Sequence, residues 1–302
     1  MNPNCGAIRV YGVDFSGARD PSGKLFVASG TLAADGSAFE LERVVLCDDR
    51  LDAFAMLLRS PAGSIWGWDV PFAPPGPAYD KLGFTAWEEW LSLAAGSSRS
   101  SFLEKLDAAF PAFETPCAAH GWACRCTDVA CRAASPFKRV QPNLRAMIYA
   151  GWKLLAYARE AGGAVYPFDE VGGARDGPTL YEVYPSHTAR LAGGARRLDL
   201  SAAAEVARAA AGWRLPPATD AVAGAVPSQD AADACVACLT LAAAYARDGT
   251  ALAGGGRPSF ATDAEWAVRG REGLIVRLAA SSDEARTTRP KSSEKLRLHP
   301  PR

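Results

Sequence analysis

Four aspartates stand where the chain could do chemistry. Asp14 closes the apolar run Val10-Tyr11-Gly12-Val13, and a small-residue turn, Ser16-Gly17-Ala18, follows Phe15 at once. Asp69 closes a second apolar run, Ile65-Trp66-Gly67-Trp68, ahead of Val70-Pro71-Phe72. Asp230 and Asp233 follow Pro227-Ser228 at the head of an Ala-, Cys- and Leu-rich stretch. Carboxylates brought together repel one another and raise one another's pKa unless a cation sits among them. A hard divalent cation such as Mg²⁺ or Mn²⁺ takes oxygen ligands. Two such ions clamp the attacking and leaving oxygens in phosphodiester hydrolysis. Each acid also has an ordinary explanation. Asp is common where a strand turns, and the helix dipole favours acids in a first turn. What weighs for the chemical reading is the order of the elements that carry them.

Those elements read as follows. Val10, Val13 and Phe15 suit a buried strand. Lys24 to Thr31 and Phe39 to Leu46 continue it as an antiparallel meander. Asp52 to Arg59 is a short helix stopped by Ser60-Pro61, and the run ending at Asp69 is a fourth strand. If the first and fourth strands lie side by side in parallel, Asp14 and Asp69 meet. In α/β sheets ligands gather at the carboxyl ends of strands. Thr179 to Pro185 is a fifth strand, with Glu182 in apolar surroundings. Ser186 to Leu191 and Ser201 to Gly212 read as helices, and Glu272 to Val276 as a last strand. Ser228 is the expected N-cap of a helix from Ala231 to Ala246. Asp230 and Asp233, three apart, then share one face of its first turn.

The predicted fold is α/β, a mixed five-stranded sheet flanked by helices, in one domain over residues 7–280. A helical insertion over about 74–167 is expected on one edge of the sheet, covering the site. It carries Arg125, Arg132, Lys138, Arg139, Arg145 and Lys153, either a local phosphate patch or the charges of a solvated helix face. Lys138, Arg139 and Ser16 are the candidate contacts to a substrate phosphate. Residues 281–302 have six Lys or Arg and read as a disordered basic tail.

Formal net charge is +0, so no global field draws polyanions, and any nucleic-acid surface must be local. The start of the chain shows no signal peptide, and no apolar stretch is long enough to span a bilayer. The expectation is a cytoplasmic protein with no membrane partner, in which the eight cysteines are reduced thiols. Cys117, Cys124, Cys126 and Cys131, with His120, form a group whose spacing lacks the CxxC pair of the usual zinc site.

The order of elements and acids resembles the RNase H-like (retroviral integrase) superfamily. Gln229-Asp230-Ala231-Ala232-Asp233-Ala234 is similar to the helix start of RuvC-type Holliday junction resolvases, where both acids are metal ligands. The strand-four acid of that family is a Glu; Asp69 stands in its place, one methylene shorter. A wider resemblance is to the domain of unknown function 429 family, described as predicted RNase H-like nucleases. Gly12-Val13-Asp14, Gly67-Trp68-Asp69-Val70-Pro71, Ser135-Pro136-Phe137-Lys138, Glu182-Val183-Tyr184-Pro185, Asp230-Ala231-Ala232-Asp233-Ala234 and Glu272-Gly273-Leu274-Ile275 carry it, in order. The resemblance implies a metal-dependent nuclease acting on RNA or DNA through two Mg²⁺ or Mn²⁺ ions. Asp14 would bridge both ions, Asp69 and Asp233 would bind one each, and Asp230 would complete the shell. Glu182 ranks next, as a ligand or as a carboxylate orienting the basic patch, and His187 is a possible proton carrier. Two other readings are weighed. Asp-Phe-Ser-Gly-Ala after a strand is also like the first phosphate loop of actin-like ATPases and sugar kinases, although Val70-Pro71-Phe72 cannot serve as their second loop. A non-catalytic member that binds nucleic acid or protein fits the neutral charge equally well.

Overall fold

The computed structural model describes residues 6–110, 124–138, 143–171, 177–193, 199–215, 217–219, 222 and 226–278. Its strands are β1 (Ile8–Asp14), β2 (Phe26–Leu32), β3 (Phe39–Leu46), β4 (Ile65–Asp69), β5 (Ala164–Val165), β6 (Thr179–Val183) and β7 (Ile275–Val276). They form one mixed seven-stranded sheet in the order β3-β2-β1-β4-β6-β5, with β7 also on β6. β1, β2 and β3 are the expected antiparallel meander. β4 lies parallel to β1, and the remaining pairings are parallel.

The predicted count of five strands is corrected to seven. β5 is two residues long, too short to leave an alternation in the sequence, and β7, also two residues, falls within the expected last strand. The last strand is also shorter than expected. Glu272 ends a helix, and Gly273, at φ 75°, turns the chain before Ile275.

The helices are α1 (Arg50–Leu58), α2 (Pro77–Leu82), α3 (Trp87–Gly96), α4 (Arg99–Ala109), α5 (Cys126–Cys131), α6 (Leu144–Glu160), α7 (Pro185–Leu191), α8 (Leu200–Ala211), α9 (Gln229–Gly254) and α10 (Asp263–Glu272). Side chains alternate across a strand, so β1 serves two cores. Val13 and Phe15, with Trp66, Trp68 and Val70, pack against Leu57, Trp90, Phe102 and Trp152 of α1, α3, α4 and α6. Val10, with Ile65, Tyr181 and Val183, packs against Ala204 of α8 and Cys235, Cys238 and Leu241 of α9. The helices expected at a sheet edge therefore cover a whole face. The predicted C-terminal tail lies outside the described residues, and among the described residues no helix is long and apolar enough to cross a membrane.

The position of α9 depends on glycine. Gly12 and Gly67 are in register on the α9 face. A Cβ at Gly12 would fall 2.2 Å from Cys238 N and 2.3 Å from Ala234 O. One at Gly67 would lie 3.0 Å from Val183 Cγ1. Cys238 Sγ also donates to Val10 O at 3.4 Å. Cys238 thus sits by Val10 and Ala234 by Gly12, so α9 runs against β1 and its first turn lands beyond Gly12, beside Asp14. Gly12→Ala should lower stability by about 2–4 kcal/mol, more than Gly67→Ala, because backbone rather than a mobile side chain is in the way. Urea denaturation of the two variants checks this; an unchanged midpoint for Gly12→Ala would contradict the contact.

Candidate active site

Asp14 and Asp69 are direct partners across the parallel β1–β4 pair. The expected meeting of the two strand-end acids is what the sheet produces. Above them, Ser228 Oγ accepts from Ala231 N at 3.2 Å and caps α9, as the sequence indicated. Asp230 and Asp233 follow on that first turn. Asp14 feels the other three carboxyls, and Asp69 and Asp233 each feel a neighbour as well. Burial, then Asp69, Asp233 and Asp230, push Asp14 up to about 9. Asp69 is held well above the usual carboxylate range by burial, then Asp233 and Glu182. Burial raises Asp233 to about 6, against a hydrogen bond from Gln229 Nε2 (3.3 Å) and with Asp230 adding to the rise.

Among the described residues, no basic side chain figures in the influences on these three groups. Nor are three His, Cys, Asp or Glu side chains grouped closely enough, as they stand, to hold a metal ion. The four acids share one electrostatic field without forming a ligand shell. A hard oxygen donor set under mutual repulsion is of the chemical kind that suits a divalent cation.

The chain leaving β4 is tightly fastened. Trp152 Nε1 donates to Pro71 O and Trp87 Nε1 to Phe72 O, each at 2.8 Å. Phe72 N donates to Glu182 Oε2 at 2.8 Å. These bonds fix the backbone just past Asp69 and leave no loose phosphate loop there. Glu182 itself is buried and engaged. Arg125 Nη2 reaches its Oε1 at 2.5 Å and Nη1 its Oε2 at 2.7 Å. Asp128 holds the same guanidinium through Nη2 at 2.6 Å. Arg125 is 1 % exposed, so it is an internal cation and not part of a surface patch. Glu182 holds one buried arginine of the predicted patch, Arg125, rather than a surface patch.

The turn after Asp14 is braced from behind. Arg50 donates to Ser16 O at 2.7 Å and also to Ala18 O. Arg99 Nη2 donates to Gly17 O at 3.1 Å. A Cβ on Gly17 would fall 2.7 Å from Met147 Cα, so only glycine lets the turn rest on α6. In front lies a cleft of about 630 Å³ lined by Asp14, Ser16, Lys24, Arg99, Asn143 and Asp230, among others.

Ser16 lies in this cleft, as expected. Lys138 is not among its lining residues, although its carbonyl accepts from Leu144 N at the start of α6 (3.1 Å). Arg139 lies outside the described residues. The other predicted patch members are dispersed. Arg145 pairs with Asp107, and Lys153 sits over the Tyr149 and Tyr157 rings. Sequence reasoning missed Lys24 and Arg99, which only folding brings to the cleft that Asp14 lines. It also missed Gly12 and Gly67, whose placement inside apolar strands is a signal of close backbone approach.

Two further expectations need correction or relocation. Cys124 is disulfide-bonded, so the assumption of reduced thiols fails there. Cys126 and Cys131 of α5 are free thiols, and Cys117 and His120 lie outside the described residues. His187 lies away from the cleft, bonded to the backbone of Leu278 and Cys131. Burial, with Arg277 and Arg190, pushes it down to about 4.

No family model, curated protein or solved structure matches the chain.

The raised carboxyls carry a sign for stability. A group whose folded pKa exceeds its unfolded value stabilises the fold below the unfolded pKa, and that contribution is lost as pH rises through the folded value. For Asp14 the window runs from about 3.8 to about 9, and for Asp233 from about 3.8 to about 6. The melting temperature of the metal-free protein should therefore fall between pH 6 and 9. Asp14→Asn should flatten that slope and stabilise the protein at pH 8 by about 1–3 kcal/mol. Thermal melts across that range test it, and a strongly destabilised Asp14→Asn would make the acid structural. Glu182→Ala, by contrast, leaves Arg125 buried with half its partners and should cost about 3–5 kcal/mol, read by urea denaturation.

Proposed function

We propose that the protein is a metal-dependent nuclease of RNase H-like fold that hydrolyses phosphodiester bonds of a nucleic acid. The observation that carries this reading is the register of Asp14 with Asp69 beneath the first turn of α9, which adds Asp230 and Asp233. Mutually repelling acids at the carboxyl ends of parallel strands are costly to keep without a task. Asp14, Asp69, Asp230 and Asp233 are the residues that would hold Mg²⁺ or Mn²⁺. Such an ion supplies electrophilic stabilisation of phosphoryl oxygens and a more acidic bound water.

The chain's own groups do the rest. β1 and β4 hold two carboxylates at a fixed spacing. The capped first turn of α9 brings two more from above. Asp14 would hold a proton at neutral pH and would give it up on serving as a ligand. The Ser16-Gly17-Ala18 turn, held by Arg50 and Arg99, borders the space where a phosphate would lie.

Cation binding should release protons. Asp14 titrates near 9 and Asp233 near 6 in the metal-free protein, so Mn²⁺ affinity should rise with pH from 6 to 9. Calorimetry in buffers of different ionisation enthalpy would show net proton release at pH 7.5, from Asp14 and from any proton held by Asp69. Asp14→Asn should abolish the binding. Equal Mn²⁺ affinity in wild type and Asp14→Asn would refute the assignment. Mn²⁺ binding without cleavage of any RNA or DNA would favour the non-catalytic reading.

A further inference from the structure

We infer that the cleft takes a short single-stranded stretch of nucleic acid, with Lys24 and Arg99 holding a phosphate beside the one presented to Asp14. This inference rests on the nuclease reading and narrows its substrate class.

The first observation is that one cleft contains both acids and bases. Asp14 and Asp230 line it, and so do Lys24 and Arg99. Among the described residues, neither Lys24 nor Arg99 makes an ion pair. Arg99 contacts a neutral carbonyl, that of Gly17, and Lys24 acts on Asp20 only as a nearby charge. Arg50 adds a further cation behind the same turn, close enough for Arg99 to repel it. Asn143 and Leu144, at the start of the 17-residue helix α6, bring the positive end of a helix dipole to the same wall. Acids that call for a cation and bases that call for an anion, side by side and not paired, match a ligand that is itself an anion and a metal ligand. A phosphodiester is both.

The second observation is size. A cleft of about 630 Å³ lies in the range that encloses a drug-sized ligand, the scale of one to three nucleotides. A duplex carries a charge about every 1.7 Å, and its binders make about 6–10 phosphate contacts. Here two cations line the cleft, and the chain's net charge of +0 adds no long-range attraction. Two cations suit the few phosphates of a short single strand better than the many of a duplex.

The test is fluorescence anisotropy on the full chain with a labelled deoxythymidine trinucleotide, in Ca²⁺, over a series of salt concentrations. Two phosphate contacts predict a log–log salt slope of about −1.4. Lys24→Ala, a change at an exposed side chain, should weaken binding about fivefold and reduce the slope by about 0.7. Arg99→Lys, which retains the charge, should weaken it less. A 20-base-pair duplex should compete poorly. The inference is overturned if the trinucleotide does not bind, if Lys24→Ala leaves affinity and slope unchanged, or if the duplex binds more tightly with a slope steeper than about −4. Mn²⁺ calorimetry without nucleotide separates the two claims. Loss of Mn²⁺ binding in Asp14→Asn but not in Lys24→Ala sustains the acid site whatever the trinucleotide does.

Discussion

The structure depends on how closely α9 can approach the sheet. Two glycines, Gly12 and Gly67, sit side by side on β1 and β4 where α9 crosses them. Their missing side chains let helix backbone rest on strand backbone. That contact fixes where the first turn of α9 falls, and so fixes Asp230 and Asp233 over Asp14 and Asp69. Packing at the middle of the strands thereby sets the electrostatics at their ends.

Electrostatic conflict at the strand ends is balanced by rigidity around it. Two indoles clamp the carbonyls of Pro71 and Phe72, and Glu182 holds Phe72 N while gripping Arg125. Arg50 and Arg99 brace three successive carbonyls of the turn after Asp14. A backbone held this firmly can keep repelling carboxylates near one another, because the strands cannot part to relieve them. Burial first, and then the neighbouring carboxylates, therefore favour the protonated form, and Asp14 is shifted far upward.

The helices between β4 and β6 have two tasks. Their aromatic faces bury one side of the sheet through Trp90, Phe102 and Trp152. The starts of α4 and α6 also reach round to the cleft, with Arg99 from one and Asn143 and Leu144 from the other. One stretch of chain thus supplies both the second core and the positive wall of the cleft.

Much of this was legible in the residues alone. Apolar alternation ending in Asp14 and Asp69, the Ser228 cap and the paired acids of α9 are local signals, and local chemistry determines strands, caps and helix faces. The α/β class and the parallel meeting of β1 with β4 follow from the order of those elements. Tertiary structure decided the rest. β5 and β7 exist only because β6 offers them an edge. Arg125, one of several arginines in the sequence, becomes a buried counter-ion to Glu182 only when residues 57 positions apart meet. Lys24 and Arg99 carry no mark that separates them from other surface cations, and only the folded chain brings both into one cleft with Asp14. Sequence encodes what each element is; which side chains share a cleft depends on how closely the elements pack, and that distance exists only in the fold.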